Sequence, residues 1–274
     1  MTADPLLHVE QAVVTYRRHA AVFNREPATR IGPLTFSIQT GQTFGLVGES
    51  GSGKSSIARA VACLQSIAAG DILFDGESIR HAKPGRHRGI QMIFQDPDGS
   101  LDPRLTITES VQDALRGQLS TRSRRRHRAR ELLLEVGLAE SLHHHRSRQL
   151  SGGQKQRAAI ARALASKPRL LIADEPVSAL DVVVQAQILN LLLNLQIRDD
   201  LSILLISHDL AVVNHMSDHI GVMQHGELVD IGTAEYIVEH SVQPYTRRLL
   251  QAAAPVSTAA VDLSSLSKER ASTQ

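Results

Sequence analysis

The sequence has 274 residues, 42% hydrophobic and 21% charged, an ordinary globular composition with room for one large domain or two small ones. A formal net charge of +2 implies no strong polyanionic partner, and the absence of Trp with only 3% aromatics argues against broad stacking surfaces for single-stranded nucleic acid. The single cysteine excludes a disulfide framework and fits a reducing compartment; no secretory signal is visible, and no apolar run approaches the ~18 residues of a membrane span.

Leu7 to Tyr16 reads as a strand carrying Val9, Val13 and Val14. Arg17 to Pro33 is polar, with Pro27 and Gly32, and reads as a loop or hairpin excursion. Leu34, Phe36 and Ile38 alternate with polar residues, as in a half-exposed strand. Thr43-Phe44-Gly45-Leu46-Val47 is an apolar run of strand length, and Ser56 to Ala62 has helix-forming residues, with Cys63 expected in that helix as a small buried hydrophobe. Gly70 to Ile79 holds the turn pair Asp75-Gly76 and reads as a hairpin. Ile90 to Phe94 is a buried-type strand ended by Gln95-Asp96-Pro97.

Thr106 to Ala165 then shows helical periodicity, with Val111, Leu115 and Leu132-Leu133-Leu134 available for an apolar face. Arg122 through Arg130 is densely basic and reads as a solvated helix face, with lipid phosphates or an acidic partner as the sharper alternative. His143-His144-His145 reads as loop or surface, because three adjacent histidines cannot share one ion on a helix. The α/β pattern returns with strands at Leu170 to Asp174, Leu201 to Ile206 and Ile220 to Met223, and helices at Val182 to Ile197 and Asp209 to Met216. From about Pro255 the packing pattern is lost, so residues 255–274 are expected to be a disordered tail.

Between the strand at Thr43 and its following helix lies Gly48-Glu49-Ser50-Gly51-Ser52-Gly53-Lys54-Ser55, a full match to G-x-x-x-x-G-K-[ST] in its strand–loop–helix context. Glycines let backbone N–H groups turn toward an anion, and the helix N-terminus favours negative charge. Lys54 is placed to reach the β- and γ-phosphates of ATP, Ser55 to ligate Mg²⁺, and Ser56 to continue the cradle. Asp174 ends an apolar strand, where a carboxylate meets that Mg²⁺, and Glu175 beside it can orient or deprotonate water. Leu150-Ser151-Gly152-Gly153-Gln154 opens another helix, with Ser151 as cap and glycines leaving N–H groups free for a phosphate. A second anion-binding helix end beside a complete first cradle points to a second molecule's nucleotide.

Leu150 to Gln154 resembles the signature of ABC-family ATPases, and the family's other elements fall in order. Tyr16 resembles the aromatic that stacks on adenine, Gln95 the Q-loop glutamine, Ser178-Ala179-Leu180-Asp181 the D-loop and His208 the switch histidine; the likeness covers about residues 6 to 250. It implies an α/β fold: a P-loop (RecA-like) core with an N-terminal antiparallel β subdomain and an inserted α-helical subdomain at about 96–165, all within an ATPase domain 1–254. It also implies that two such domains sandwich two ATP molecules head to tail. Glu175, His208 and Gln95 are then the catalytic residues, Ser55, Gln95 and Asp174 the Mg²⁺ ligands, and Tyr16, Gly48 to Ser56, Ser151 to Gln154 and Asp181 the ATP contacts. Intact Glu175 and His208 count against a non-hydrolysing partner, and one cassette without long insertions counts against a soluble ATPase acting on nucleic acid or ribosomes.

Phe94-Gln95-Asp96-Pro97, Ser100-Leu101-Asp102-Pro103-Arg104 and Gln243-Pro244-Tyr245-Thr246-Arg247-Arg248-Leu249-Leu250 look like the ATPases of oligopeptide, dipeptide and nickel importers. Such a subunit is expected at the cytoplasmic face of the inner or plasma membrane, paired with a second, homologous ATPase and two transmembrane permeases. An extracytoplasmic binding protein would be an indirect partner, and nucleic acid none.

Overall fold

The computed structural model describes residues 4–16, 29–82 and 89–253. The chain runs β1 (Leu7–Tyr16), β2 (Thr29–Ile38), β3 (Thr43–Val47), α1 (Lys54–Val61), β4 (Ile67–Phe74), β5 (Glu77–Ser78) and β6 (Ile90–Ile93). Three helices follow, α2 (Ile107–Ala114), α3 (Arg122–Glu135) and α4 (Gly152–Leu164), and then β7 (Leu170–Asp174), α5 (Val182–Asp199), β8 (Ser202–Ser207), α6 (Leu210–Met216), β9 (His219–Gln224), β10 (Glu227–Thr233) and α7 (Pro244–Ala253). Most of the polar excursion expected at Arg17 to Pro33 falls on residues outside those described; Thr29 to Pro33 are strand, paired with β1 from Tyr16↔Thr29 onward. The expected tail, 255–274, also lies outside the described residues.

Two sheets divide the work. The first is antiparallel, ordered β2-β1-β4-β5; the second is ordered β10-β9-β3-β8-β7-β6, parallel except for β10 at its edge. Every residue of β3, β7 and β8 is buried, because this sheet is covered on both faces and needs apolar residues throughout. Alternation decides which core each side chain joins. Phe44, Leu46, Leu170, Ile172, Leu204 and Ile206 face α1 and the antiparallel sheet. Val47, Leu171, Ala173, Ile203 and Leu205 face the helices α2 to α7. Phe36 and Phe44 stack with centroids 4.7 Å apart and join the two sheets.

Local chemistry sets several boundaries. α1 stops at Val61, and Cys63 lies beyond it with φ 57, in the left-handed conformation that commonly ends helices; it is buried, as expected, but not helical. Three consecutive helical residues span too wide an arc for one face, so Leu132 and Leu133 are buried while Leu134 is 46% exposed. The histidine run lies in a turn outside helix and strand, as the loop reading has it, but His143 is buried there rather than on the surface, with Nε2 3.1 Å from the Leu138 carbonyl and its own carbonyl accepting the Thr108 hydroxyl at 2.7 Å. In α3, Arg128 pairs with Glu131 and Glu135, while Arg122, Arg124, Arg126 and Arg130 are exposed.

α2 opens with a full capping box, in which Thr106 Oγ1 accepts the Glu109 N–H at 3.2 Å and Glu109 Oε2 accepts the Thr106 N–H at 2.9 Å. The Thr106 backbone bond is the main cause holding the Glu109 carboxyl below its ordinary value, with the Thr106 hydroxyl adding to it. A lowered carboxylate stabilises the fold above the ordinary carboxylate range and loses that contribution as pH falls through the lowered value. Thr106→Ala is expected to cost about 1 kcal/mol near neutral pH, read from the urea midpoint, with the deficit shrinking in acid. An unchanged midpoint at neutral pH would contradict the capping role.

Candidate functional site

The parallel strands deliver their following loops to one edge of the sheet, where open α/β sheets place ligands. β3 feeds Gly48 to Ser55, β6 feeds Gln95, β7 ends in Asp174 and feeds Glu175, and β8 feeds His208. The tight path after β3 requires glycine. A Cβ on Gly48 (φ 153) would lie 2.1 Å from the Met223 carbonyl oxygen, and Gly53 holds φ 105. No side chain caps α1 at Gly53, so its first N–H groups stay available for an anion.

Lys54 is 5% exposed, and its Nζ donates to Gly48 O at 2.6 Å and Glu49 O at 2.8 Å. Burial lowers its pKa, opposed by Glu175, Asp174 and Glu49. Ser55 Oγ donates to Asp174 Oδ1 at 2.9 Å. Burial pushes the Asp174 carboxyl up, partly offset by that hydroxyl and by the charge of Arg59. Above them Glu175 is gripped from two sides: Gln95 Nε2 donates to Oε2 at 2.9 Å, and His208 Nδ1 lies 3.3 Å from Oε1. Glu175 itself has φ 48, uncommon for a non-glycine residue, and is fixed there by its N–H donating to Ile206 O at 2.8 Å.

Lys54, Ser55, Gln95, Glu175 and His208 line one cavity of about 400 Å³, together with Ser50, Gly51, Gly53 and Ser56. Ser55, Gln95 and Asp174 also line a neighbouring cavity of about 310 Å³, beside Arg59. A hydroxyl, an amide oxygen and a carboxylate form an all-oxygen donor set, which suits Mg²⁺. Arg59, one helical turn beyond Ser55, was absent from the sequence-based site; its i+4 spacing from Ser55 was the available signal.

Other expected residues lie elsewhere in the chain. Ser151 caps α4 with a reciprocal Gln154 bond, and Asp181 caps α5 by accepting the Val184 N–H at 3.0 Å. Ser151 to Gln154 and Asp181 do not line the P-loop cavity. Gly152 and Gly153 approach the Asp181 region closely instead: a Cβ on Gly153 would lie 2.5 Å from Val184 Cγ1 and one on Gly152 3.1 Å from Leu180 Cδ2. The side chain of Tyr16, expected against adenine, lies outside the described residues.

Residues 31–178 match the family described as ABC transporter. The chain is 45% identical over 228 residues to the dipeptide transport ATP-binding protein DppF of Lactococcus lactis, covering 80% of this chain and 73% of that protein. It is 44% identical over 229 residues to the oligopeptide transport ATP-binding protein OppF of Bacillus subtilis, covering 81% and 75%. The chain belongs to the ABC transporter family, among the ATP-binding proteins of its oligopeptide/dipeptide importers. A longer ABC relative is the glutathione import ATP-binding protein GsiA of Pectobacterium atrosepticum, 42% identical over 91% of this chain and 41% of that protein. Among solved structures, the ABC cassette MJ0796 in a dimeric post-hydrolysis state bound to ADP and Pi superposes with a TM-score of 0.74 at 29% identity, covering 83% of this chain and 98% of that one. The two sheets and the P-loop of this chain are therefore those of an ABC nucleotide-binding cassette.

Proposed function

We propose that this chain hydrolyses ATP with Mg²⁺ as one of two ATPase subunits that power peptide import through a membrane permease. The observation that carries the reading is the Glu175 carboxylate, held by Gln95 and His208 over the P-loop cavity. That is where a general base must stand to take a proton from water attacking a phosphate seated at Lys54. His208, 56% exposed at its side chain, orients one carboxylate oxygen and is free to donate to charge building on the transferred phosphoryl. Gln95 holds the other oxygen with its amide nitrogen, which leaves its amide oxygen for the metal side of the site. Ser55, Asp174 and Gln95 would hold Mg²⁺, which supplies neutralisation of phosphate charge when bound.

A second nucleotide contact comes from a partner chain. Ser151 to Gln154 do not line their own chain's P-loop cavity, and beside them Val182 and Val183 are 77% and 68% exposed, an apolar pair fit for burial against another subunit. The Gln95 segment links the site to α2–α4, whose surface would receive the permease. No helix among the described residues is long and apolar enough to cross a membrane. The proposed subunit works at the cytoplasmic face, where the permease would receive it. Peptide is favoured over nickel because the relatives above are named as ATP-binding proteins of dipeptide transport, oligopeptide transport and glutathione import. The test is parallel uptake of a labelled small peptide and of labelled nickel by cells with and without this gene. Loss of peptide uptake alone is expected; loss of nickel uptake alone would move the substrate to the metal branch, and loss of neither would overturn the transport role.

A further inference from the structure

Tyr245 lies 196 residues from Glu49 in sequence, yet its hydroxyl accepts the Glu49 backbone N–H at 3.0 Å. That hydroxyl is not free to wander. Tyr245 is 3% exposed within the core that also holds α6, and the Arg248 guanidinium stands 5.8 Å from its ring centroid. The first turn of α7 is tied down on both sides: Gln243 Oε1 accepts the Tyr245 N–H at 3.1 Å, and fully buried Thr246 donates its hydroxyl to Asp230 Oδ2 at 2.8 Å. Ser241 Oγ donates to the same Asp230 oxygen.

The bond falls on a consequential peptide. The N–H of Glu49 and the C=O of Gly48 belong to one planar trans unit and point in opposite directions. Tyr245 holds the N–H end, and the Gly48 oxygen at the other end accepts Lys54 Nζ at 2.6 Å. Gly48, lacking a Cβ, has a wider range of backbone dihedrals than any other residue type, so its own sterics do not fix this peptide's orientation. Rotation would swing Gly48 O away from the ammonium and leave the Glu49 N–H without its acceptor. We propose that Tyr245 is a positioning residue for ATP binding: its hydroxyl fixes the Gly48–Glu49 peptide and, through Gly48 O, the place of the Lys54 ammonium. The inference rests on the reading of the P-loop as the ATP cradle.

The test is Tyr245→Phe, which keeps the ring and removes the acceptor. In the full chain, below its unfolding temperature, the Kd for ATP is expected to rise about five- to ten-fold, the worth of one hydrogen bond. In the assembled transporter the KM for ATP should rise with it while kcat holds, because Gln95, Glu175 and His208 stand on other elements. A residue that only supports the fold would lower Tm and active fraction at unchanged ATP affinity, and that result would overturn the assignment. If the wild-type chain itself bound no ATP, the P-loop reading would fall; if it bound ATP and Tyr245→Phe bound equally, only the role of Tyr245 would fall. Should the variant not fold, amide exchange of the wild-type protein decides: the Glu49 amide is expected to be as protected as the first turn of α7, and free exchange at Glu49 beside a protected turn would overturn the proposal.

Discussion

Lys54→Ala is expected to weaken ATP binding by roughly 100-fold or more, measured as the Kd of the full chain by calorimetry. Charge-assisted hydrogen bonds contribute about 1.5–3 kcal/mol each, and a lysine spanning two phosphates makes at least two. Its surroundings raise the stakes. Asp174, Glu175 and Glu49 all act on this one buried ammonium, so its removal leaves three carboxylates facing an incoming polyanion. The Gly48 and Glu49 carbonyls also lose the ammonium as a donor, Glu49 keeping the Ser52 N–H. Unchanged nucleotide affinity would contradict the assignment of this loop as the ATP cradle.

Glu175→Gln has the opposite signature. The amide keeps nearly the same shape, and its oxygen can still accept from Gln95 Nε2. What it loses is basicity and a negative charge beside the phosphate site. Turnover is expected to fall by roughly 10²–10⁴-fold, the usual worth of a positioned general base, while ATP binding persists. In the proposed pair of subunits, ATP is then expected to stay bound between this chain and the partner ATPase, because the γ-phosphate that distinguishes ATP from ADP is not removed.

The sequence made some features legible for physical reasons. The loop after β3 was readable because anion binding by backbone N–H groups demands glycines at fixed spacing, as the geometry at Gly48 and Gly53 shows. β3, β7 and β8 were readable because a sheet buried on both faces needs unbroken apolar runs. The convergence of Gln95, Glu175 and His208 was not written in any local pattern. Gln95 and Glu175 are 80 residues apart and meet only because β6 and β7 are parallel neighbours. Family resemblance supplied these residues where spacing could not. The burial of His143 was not legible because it depends on a carbonyl partner five residues away in a compact turn, nor was the Tyr245–Glu49 bond, because its partner is reached only through the tertiary fold. Thr29 to Pro33 looked like loop because a proline and a glycine sit within an edge strand that tolerates both.

The most direct test of the central claim, that Glu175 drives water onto an ATP held by this P-loop, is Mg²⁺-dependent phosphate release by the assembled transporter carrying Glu175→Gln in this chain. Phosphate release from this site is expected to fall at least ~100-fold, with ATP retained in the complex. Near-normal release at that site, or loss of release together with loss of bound ATP, would contradict the claim.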